Sequence, residues 1–228
     1  MTFTKIKSYA KINLALNIVG KTTYLHKIES IIAFLDLHDV IFIKRIRSNK
    51  NKISFIGRFS QNIDKNNTVS ELMKILEKKN LLRSKKFQIK INKQIPSKAG
   101  LGGGSMNAAN ILRYFIKKKI IKIKKKQILE ISKIIGSDVI LGQNSTNSIL
   151  TSKNKIKYFT KYKKIYALIV KPNFGCSTRY VYSKVKIFET PKLNKPNKNM
   201  FNLDYLNKMD NGLEHIVFSK HPKLKKVK

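Results

Sequence analysis

Four glycines fall within five positions, Gly100-Leu101-Gly102-Gly103-Gly104, and Ser105 follows them directly. Glycine lets a ligand approach the backbone closely. Where such a turn opens a helix, the first N–H groups have no partner inside the helix and the positive end of its dipole points into the turn. Together these make a seat for a phosphate. A flexible loop is the alternative, and four glycines wedged between a strand and a helix argue against it. The spacing is not the G-x-x-x-x-G-K-[ST] of P-loop NTPases, because no Lys follows the last glycine, nor is it a protein-kinase loop. Lys11 and Asn13 alternate with apolar neighbours and project from one side of a strand, where an exposed polar face is the ordinary reading. Asp138 sits in Gly136-Ser137-Asp138-Val139, where it is either a helix cap or a base. His26 is a lone histidine, a type more often structural than catalytic.

The elements that must position these residues follow from periodicity. Phe87, Ile89 and Ile91 alternate with polar residues, giving a strand before the glycine turn. Ala108, Ile111, Leu112 and Phe115 recur at helical spacing, so a helix starts near Ser105 and runs to about Lys118. Ile6 to Ile18 reads as a long strand, His26 through Ile32 as a second and Val40 to Ile46 as another. Ser48 to Asn67 reads mostly as loop or short hairpin. Val69, Leu72, Met73 and Leu76 mark a helix for which Asn67-Thr68 supplies N-cap chemistry. Ile128, Ile131, Ile134 and Ile135 mark another, with Gly136 at the C-cap. Beyond residue 153 the organisation changes: a strand is expected over Ile165–Val170, a turn over Pro172–Gly175, a short helix over Thr178–Val185 and a Pro/Asn/Lys linker over Pro191–Asn199. One domain over 1–153 and a second over 154–228 are therefore expected.

The chain has 228 residues, enough for one large or two modest domains, and its 42% hydrophobic content is that of a folded globular protein. Its 49 basic and 12 acidic residues give a formal charge of +37. Such a charge ordinarily points to polyanions. The lysines, however, are spread from end to end among Ile and Asn, as A+T-rich codon usage produces on any fold. A basic field would also steer nucleotides and diphosphates. Cys176 is alone, so no intramolecular disulfide forms and two-cysteine metal motifs are excluded. The first residues lack the pattern of a secretory signal, and no apolar run approaches the length of a membrane span. A soluble, cytoplasmic protein is expected.

Pro-x-x-x-Gly-Leu-Gly-Gly-Gly-Ser, from Pro96 to Ser105, resembles the ATP-binding motif of the GHMP kinases. Further likeness lies in Ser8-Tyr9-Ala10-Lys11-Ile12-Asn13-Leu14, His26-Lys27-Ile28-Glu29-Ser30, Gly136-Ser137-Asp138-Val139, Lys171-Pro172-Asn173-Phe174-Gly175 and Asn211-Gly212-Leu213-Glu214. These segments occur in the order found in the branch that phosphorylates 4-diphosphocytidyl-2-C-methyl-D-erythritol, along nearly the whole chain. The resemblance implies an α+β GHMP kinase fold, with an N-terminal domain shared with a ribosomal protein and a C-terminal α+β domain that is incomplete. Members continue into a second glycine-rich stretch of the Met-Ser-Gly-Ser-Gly type, which this chain lacks.

The resemblance also implies roles. ATP would be held by Pro96, Ser97, Lys98, Ala99, Gly100, Leu101, Gly102, Gly103, Gly104, Ser105, Met106 and Asn107, with Asn67 nearby, although capping alone explains Asn67. Lys11 would lie beside the hydroxyl to be phosphorylated, and Asp138 would be the general base. Asn13, His26 and Tyr182 would hold the cytidine-diphosphate-linked polyol. The family's stacking Tyr is replaced here by Leu25, and Ile140-Leu141-Gly142 replaces its Pro-Phe-Phe. Mg²⁺ would arrive with ATP, so no protein metal site is expected. Two other readings stay open: a nucleotide-binding but inactive relic of such a kinase, and a basic nucleic-acid-binding protein on the same fold, which the resemblance argues against.

Overall fold

The structure, a computed structural model, describes residues 2–23, 26–160, 165–172 and 174–227. Its strands are β1 (Thr4–Lys21), β2 (His26–Ile46), β3 (Lys52–Ile56), β4 (Lys86–Asn92), β5 (Ser148–Leu150) and β6 (Ile156–Tyr158). Its helices are α1 (Thr68–Lys78), α2 (Gly103–Lys117), α3 (Lys125–Ile135), α4 (Thr178–Ser183), α5 (Leu203–Leu206) and α6 (Glu214–Lys220), with short 3-10 turns after Asp138 and near the C-terminal end. Two compact units emerge, one of residues 1–11 and 34–145, the other of 12–33 and 146–228. The chain leaves the first unit for the last time at Ser145, and residues 12–33 lie in the second unit. The α+β class expected from the sequence is the class observed.

In the first unit, β2 pairs antiparallel with β4, Ile41 opposite Ile91 and Ile43 opposite Ile89. On its other edge β4 pairs in parallel with β3, Ile53 beside Ile89. Alternation sends Phe87, Ile89 and Ile91 of β4 to one face, and all three are buried. Against them pack Val69, Leu72, Met73 and Leu76 of α1, Ala108, Ile111, Leu112 and Phe115 of α2, and Ile131 of α3. Phe115 is fully buried and meets Phe87 with ring centroids 4.8 Å apart. In the second unit, β2 pairs antiparallel with β5, and β5 with β6. Its smaller core gathers Ala15, Ile31, Ile149, Phe159, Leu193, Met200 and Phe201.

Several elements differ from the sequence expectations. The strands expected at His26–Ile32 and Val40–Ile46 are one continuous β2. Asp36-Leu37-His38-Asp39 looks like a break because Asp ordinarily serves turns, yet the Asp39 carboxylate accepts hydrogen bonds from the backbone of Gln94 and Ile95 instead. The 48–67 segment contains β3, joined to β4 by way of α1, rather than a hairpin. Helix α2 begins at Gly103, two residues before Ser105. Ile165–Val170 carries no strand and is exposed, with Tyr166 at 95% and Leu168 at 90%. β-branched and aromatic composition does not make a strand without a neighbour to pair with. Gly136 does cap α3, with φ 162°, which is extended backbone rather than the left-handed form.

Candidate active site

The glycine turn divides its glycines between two tasks. Gly100 and Gly102 take positive φ, 73° and 67°, which side-chain-bearing residues adopt at a cost. A Cβ added to Gly100 would meet nothing within 4 Å, so the backbone there borders open space. Gly103 and Gly104 instead permit close packing. A Cβ on Gly103 would lie 3.0 Å from Ile95 Cγ2 and 3.2 Å from Lys93 Nζ, and one on Gly104 would lie 3.0 Å from Thr68 Oγ1. The Thr68 hydroxyl donates to the Gly104 carbonyl at 2.7 Å, tying the start of α1 to the start of α2. No side chain caps α2. Its first N–H groups are therefore available to an anion in the way the glycine pattern implies.

Lys11 enters from β1. Its backbone N–H donates to the Leu101 carbonyl at 3.0 Å, which fastens the strand to the turn. Its side chain passes the Cα of Gly102 so closely that a Cβ there would stand 3.0 Å from Lys11 Cγ and 3.1 Å from Cε. The ammonium then reaches Asp138, with Nζ 3.0 Å from Oδ2. The Lys11 side chain is 6% exposed and that of Asp138 34%, so the carboxylate remains open to an incoming group while the cation is sheltered.

Asp138 is presented by a turn docked on α2. Val139 and Leu141 are buried. A Cβ on Gly142 would come within 2.5 Å of Ala109 Cβ and 3.0 Å of Met106 Sδ, so Gly142 lets the backbone lie against the helix. This is the local consequence of Ile140-Leu141-Gly142. Ser105 is close by, since a Cβ on Gly136 would be 3.7 Å from Ser105 Oγ. Of the two readings left open for Asp138, a cap of the turn that follows is not what the side chain makes: the residue before the 3-10 turn at Leu141–Gln143 is Ile140, with no side-chain cap bond, and the Asp138 carboxylate is directed at Lys11.

The other residues singled out from the sequence fall in several places. Lys98 and Ser97 are exposed at the turn's tip, with Pro96 and Ala99 half-buried beside them, whereas the Leu101 and Met106 side chains are buried. Asn107 is buried, its Nδ2 donating to Asp39 Oδ2 at 2.8 Å. Asn67 is fully used as a cap: Oδ1 accepts from Val69 N and Ser70 N, each at 3.1 Å, Nδ2 donates to the Asp64 carbonyl and its own N–H to Ser70 Oγ. Asn13 is half-buried on β1 within the second unit. In that unit also, the His26 ring lies 5.3 Å from Tyr182 and 6.5 Å from Phe188. Burial, helped by the Lys21 charge, lowers the His26 pKa from the ordinary 6.5, so the imidazole is neutral at pH 7. Its Nε2 is buried with no hydrogen-bond partner among the described residues. Leu25, expected from the resemblance to replace a stacking Tyr, lies outside the described residues.

Sequence reasoning missed Asp39 and Lys93. Both are buried and paired with each other, directly beneath the glycine turn. The available signal was a carboxylate at the entry to the apolar Val40-Ile41-Phe42-Ile43 run, in a chain with only 12 acidic residues.

Comparison with known proteins adds the following. The family model described as the GHMP kinases N terminal domain matches residues 67–150, which include Asn67, the glycine turn and Asp138. The chain is 55% identical, over 228 residues, to 4-diphosphocytidyl-2-C-methyl-D-erythritol kinase of Pelagibacter ubique, spanning 100% of this chain and 81% of that one. It is 33% identical to the kinase of the same name from Clostridium beijerinckii, over 98% of this chain and 82% of that one. A crystal structure of 4-(cytidine 5'-diphospho)-2C-methyl-D-erythritol kinase superposes with a TM-score of 0.72 at 21% identity, over 98% of this chain and 81% of that one, which establishes likeness of fold.

Proposed function

Because the chain belongs to the 4-diphosphocytidyl-2-C-methyl-D-erythritol kinases of the GHMP kinase superfamily, we propose that it transfers the γ-phosphoryl group of ATP to the 2-hydroxyl of 4-diphosphocytidyl-2-C-methyl-D-erythritol, an isoprenoid precursor of the non-mevalonate route. The observation that carries this reading is the Lys11–Asp138 ion pair, 3.0 Å, on a strand whose backbone is bonded to the glycine turn.

Phosphoryl transfer asks for a seat for the polyphosphate, relief of charge on the transferred group and a base for the attacking hydroxyl. The uncapped start of α2 and the open space before Gly100 suit the first need. Bound with the nucleotide phosphates, Mg²⁺ would supply charge neutralisation. Ser105, at the start of α2, is the side chain suited to contact that metal or a phosphate oxygen. Lys11 offsets negative charge that grows on the γ-phosphoryl oxygens or on the alkoxide. Asp138 accepts the hydroxyl proton: Lys11 occupies Oδ2, and a carboxylate with two oxygens has lone pairs left for the hydroxyl. The hydroxyl oxygen bonds to the γ-phosphorus, the bond from that phosphorus to the β–γ bridging oxygen breaks, and ADP leaves.

The cytidine end of the substrate is assigned to Asn13, His26 and Tyr182. A neutral imidazole beside two aromatic rings supports that assignment, because it can donate or accept a hydrogen bond next to surfaces on which a pyrimidine stacks. A cytoplasmic location is part of this reading; among the described residues no helix is long and apolar enough to cross a membrane. Incubation with ATP, Mg²⁺ and the cytidyl substrate is expected to yield ADP and a product one phosphate heavier, its new phosphorus signal coupled to the position of the former 2-hydroxyl. Nucleotide binding without that product would favour an inactive relic.

A further inference from the structure

The buried cluster beneath the glycine turn is unused by the chemistry above. Asp39 is 0% exposed and Lys93 5%. Asp39 Oδ1 accepts from the consecutive backbone N–H groups of Gln94 and Ile95, at 2.8 and 2.9 Å, where the chain leaves β4. Its Oδ2 takes the Lys93 ammonium and, at 2.8 Å, the amide of Asn107 in the second turn of α2. One carboxylate on β2 therefore holds both limbs of the turn. Lys93 Nζ also fills the place that a Gly103 Cβ would need.

Stability alone does not call for this arrangement. Burying an ion pair costs desolvation on both partners, and apolar residues of similar size are often as stable or more so. What a carboxylate supplies and an apolar residue cannot is a pair of acceptors in fixed directions, one oxygen for successive backbone amides and one for the helix. Those bonds reference the turn to the rigid β2 strand, whose Ile41 and Ile43 are in the core.

We propose that Asp39 is a positioning residue for nucleotide binding, setting the span of the glycine turn between the end of β4 and the start of α2. The inference rests on the reading that this turn takes nucleotide phosphates. Phosphate recognition by backbone N–H groups depends on their convergence, so a turn released from either limb binds nucleotide less tightly.

The test is direct binding of a non-hydrolysable ATP analogue with Mg²⁺, by calorimetry, alongside steady-state kinetics. Asp39→Asn alone strands the Lys93 charge and risks misfolding. The paired variant Asp39→Asn with Lys93→Met removes both charges and keeps an oxygen for Gln94 and Ile95. Loss of charge-assisted hydrogen bonds is expected to weaken nucleotide binding and raise its KM by about tenfold or more, while the KM for the cytidyl substrate stays near wild type. A merely structural role would lower the active fraction, and so kcat, without moving the nucleotide KM. Should the pair not fold, Asp39→Asn with Lys93→Gln, which keeps a polar group in each place without the charges, is expected to shift binding in the same direction. Wild-type affinity in a folded variant overturns the inference. Failure of the wild-type protein itself to bind the analogue overturns the underlying reading of the turn, and the inference with it.

Discussion

Lys11 and Asp138 were each ambiguous as residues in a sequence. A lysine on a polar strand face is ordinary, and an aspartate after a Gly-Ser pair serves well as a helix cap. The structure adds a tertiary contact that no spacing rule encodes, an ammonium sheltered by the glycine turn and aimed at a carboxylate left one-third open. Asn67 went the other way. Its position before a helix fitted both capping and nucleotide contact, and its Oδ1, Nδ2 and N–H are all engaged in the cap and its flanking turn. Asn67→Ala is therefore expected to cost about 1 kcal/mol of stability, measured by chemical denaturation, and to leave the nucleotide KM unchanged. A raised nucleotide KM at unaltered stability would return Asn67 to the site.

At the scale of elements, periodicity made β4 and α1 legible because each has one buried face and one wet one, whereas in β1 and α2 the apolar period still showed although runs such as Ala15 to Ile18 and Met106 to Leu112 are buried throughout. β2 was legible only in halves, since the residues that seemed to interrupt it are spent on neighbouring backbone. Glu29 does similar work in the second unit, its buried carboxylate accepting from Asn17 Nδ2 and from the backbone of Lys192 and Leu193. Chain segments held by a remote carboxylate leave no periodic signal. Ile165–Val170 shows the converse, a composition suited to a strand without one. Within the glycine turn the pattern announced an anion seat but not the division of labour. Gly100→Ala and Gly102→Ala both force a side-chain-bearing residue into positive φ, at a cost of about 1–2 kcal/mol. Their kinetic effects are expected to differ. A methyl at Gly100 enters open space where phosphate is expected, raising the nucleotide KM, whereas one at Gly102 displaces the Lys11 stem and lowers kcat. Identical kinetic profiles for the two variants would contradict that division.

For the molecule as a whole, composition alone suggested a polyanion partner, and it is the site that redirects the inference. Among the described residues the buried lysines are Lys11 and Lys93, each paired with a carboxylate. Much of the remaining positive charge is dispersed over exposed lysines, an arrangement that would steer anionic substrates as a field. Raising ionic strength from about 0.01 to 0.15 M shortens the screening length from roughly 30 to 8 Å. The KM of both ATP and the cytidyl diphosphate is expected to rise with salt while kcat holds. Tight RNA binding that falls steeply with salt, in protein devoid of ATP turnover, would instead favour nucleic acid. The most direct measurement is the single-turnover rate of phosphoryl transfer in wild type and in Asp138→Asn, with nucleotide affinity determined in parallel. Asn keeps the shape of the side chain and removes the base. The expected result is a rate lower by about 10²–10⁴ with nucleotide affinity close to wild type. An Asn variant that transfers phosphate at the wild-type rate would contradict the assignment of Asp138 as the group that takes the proton.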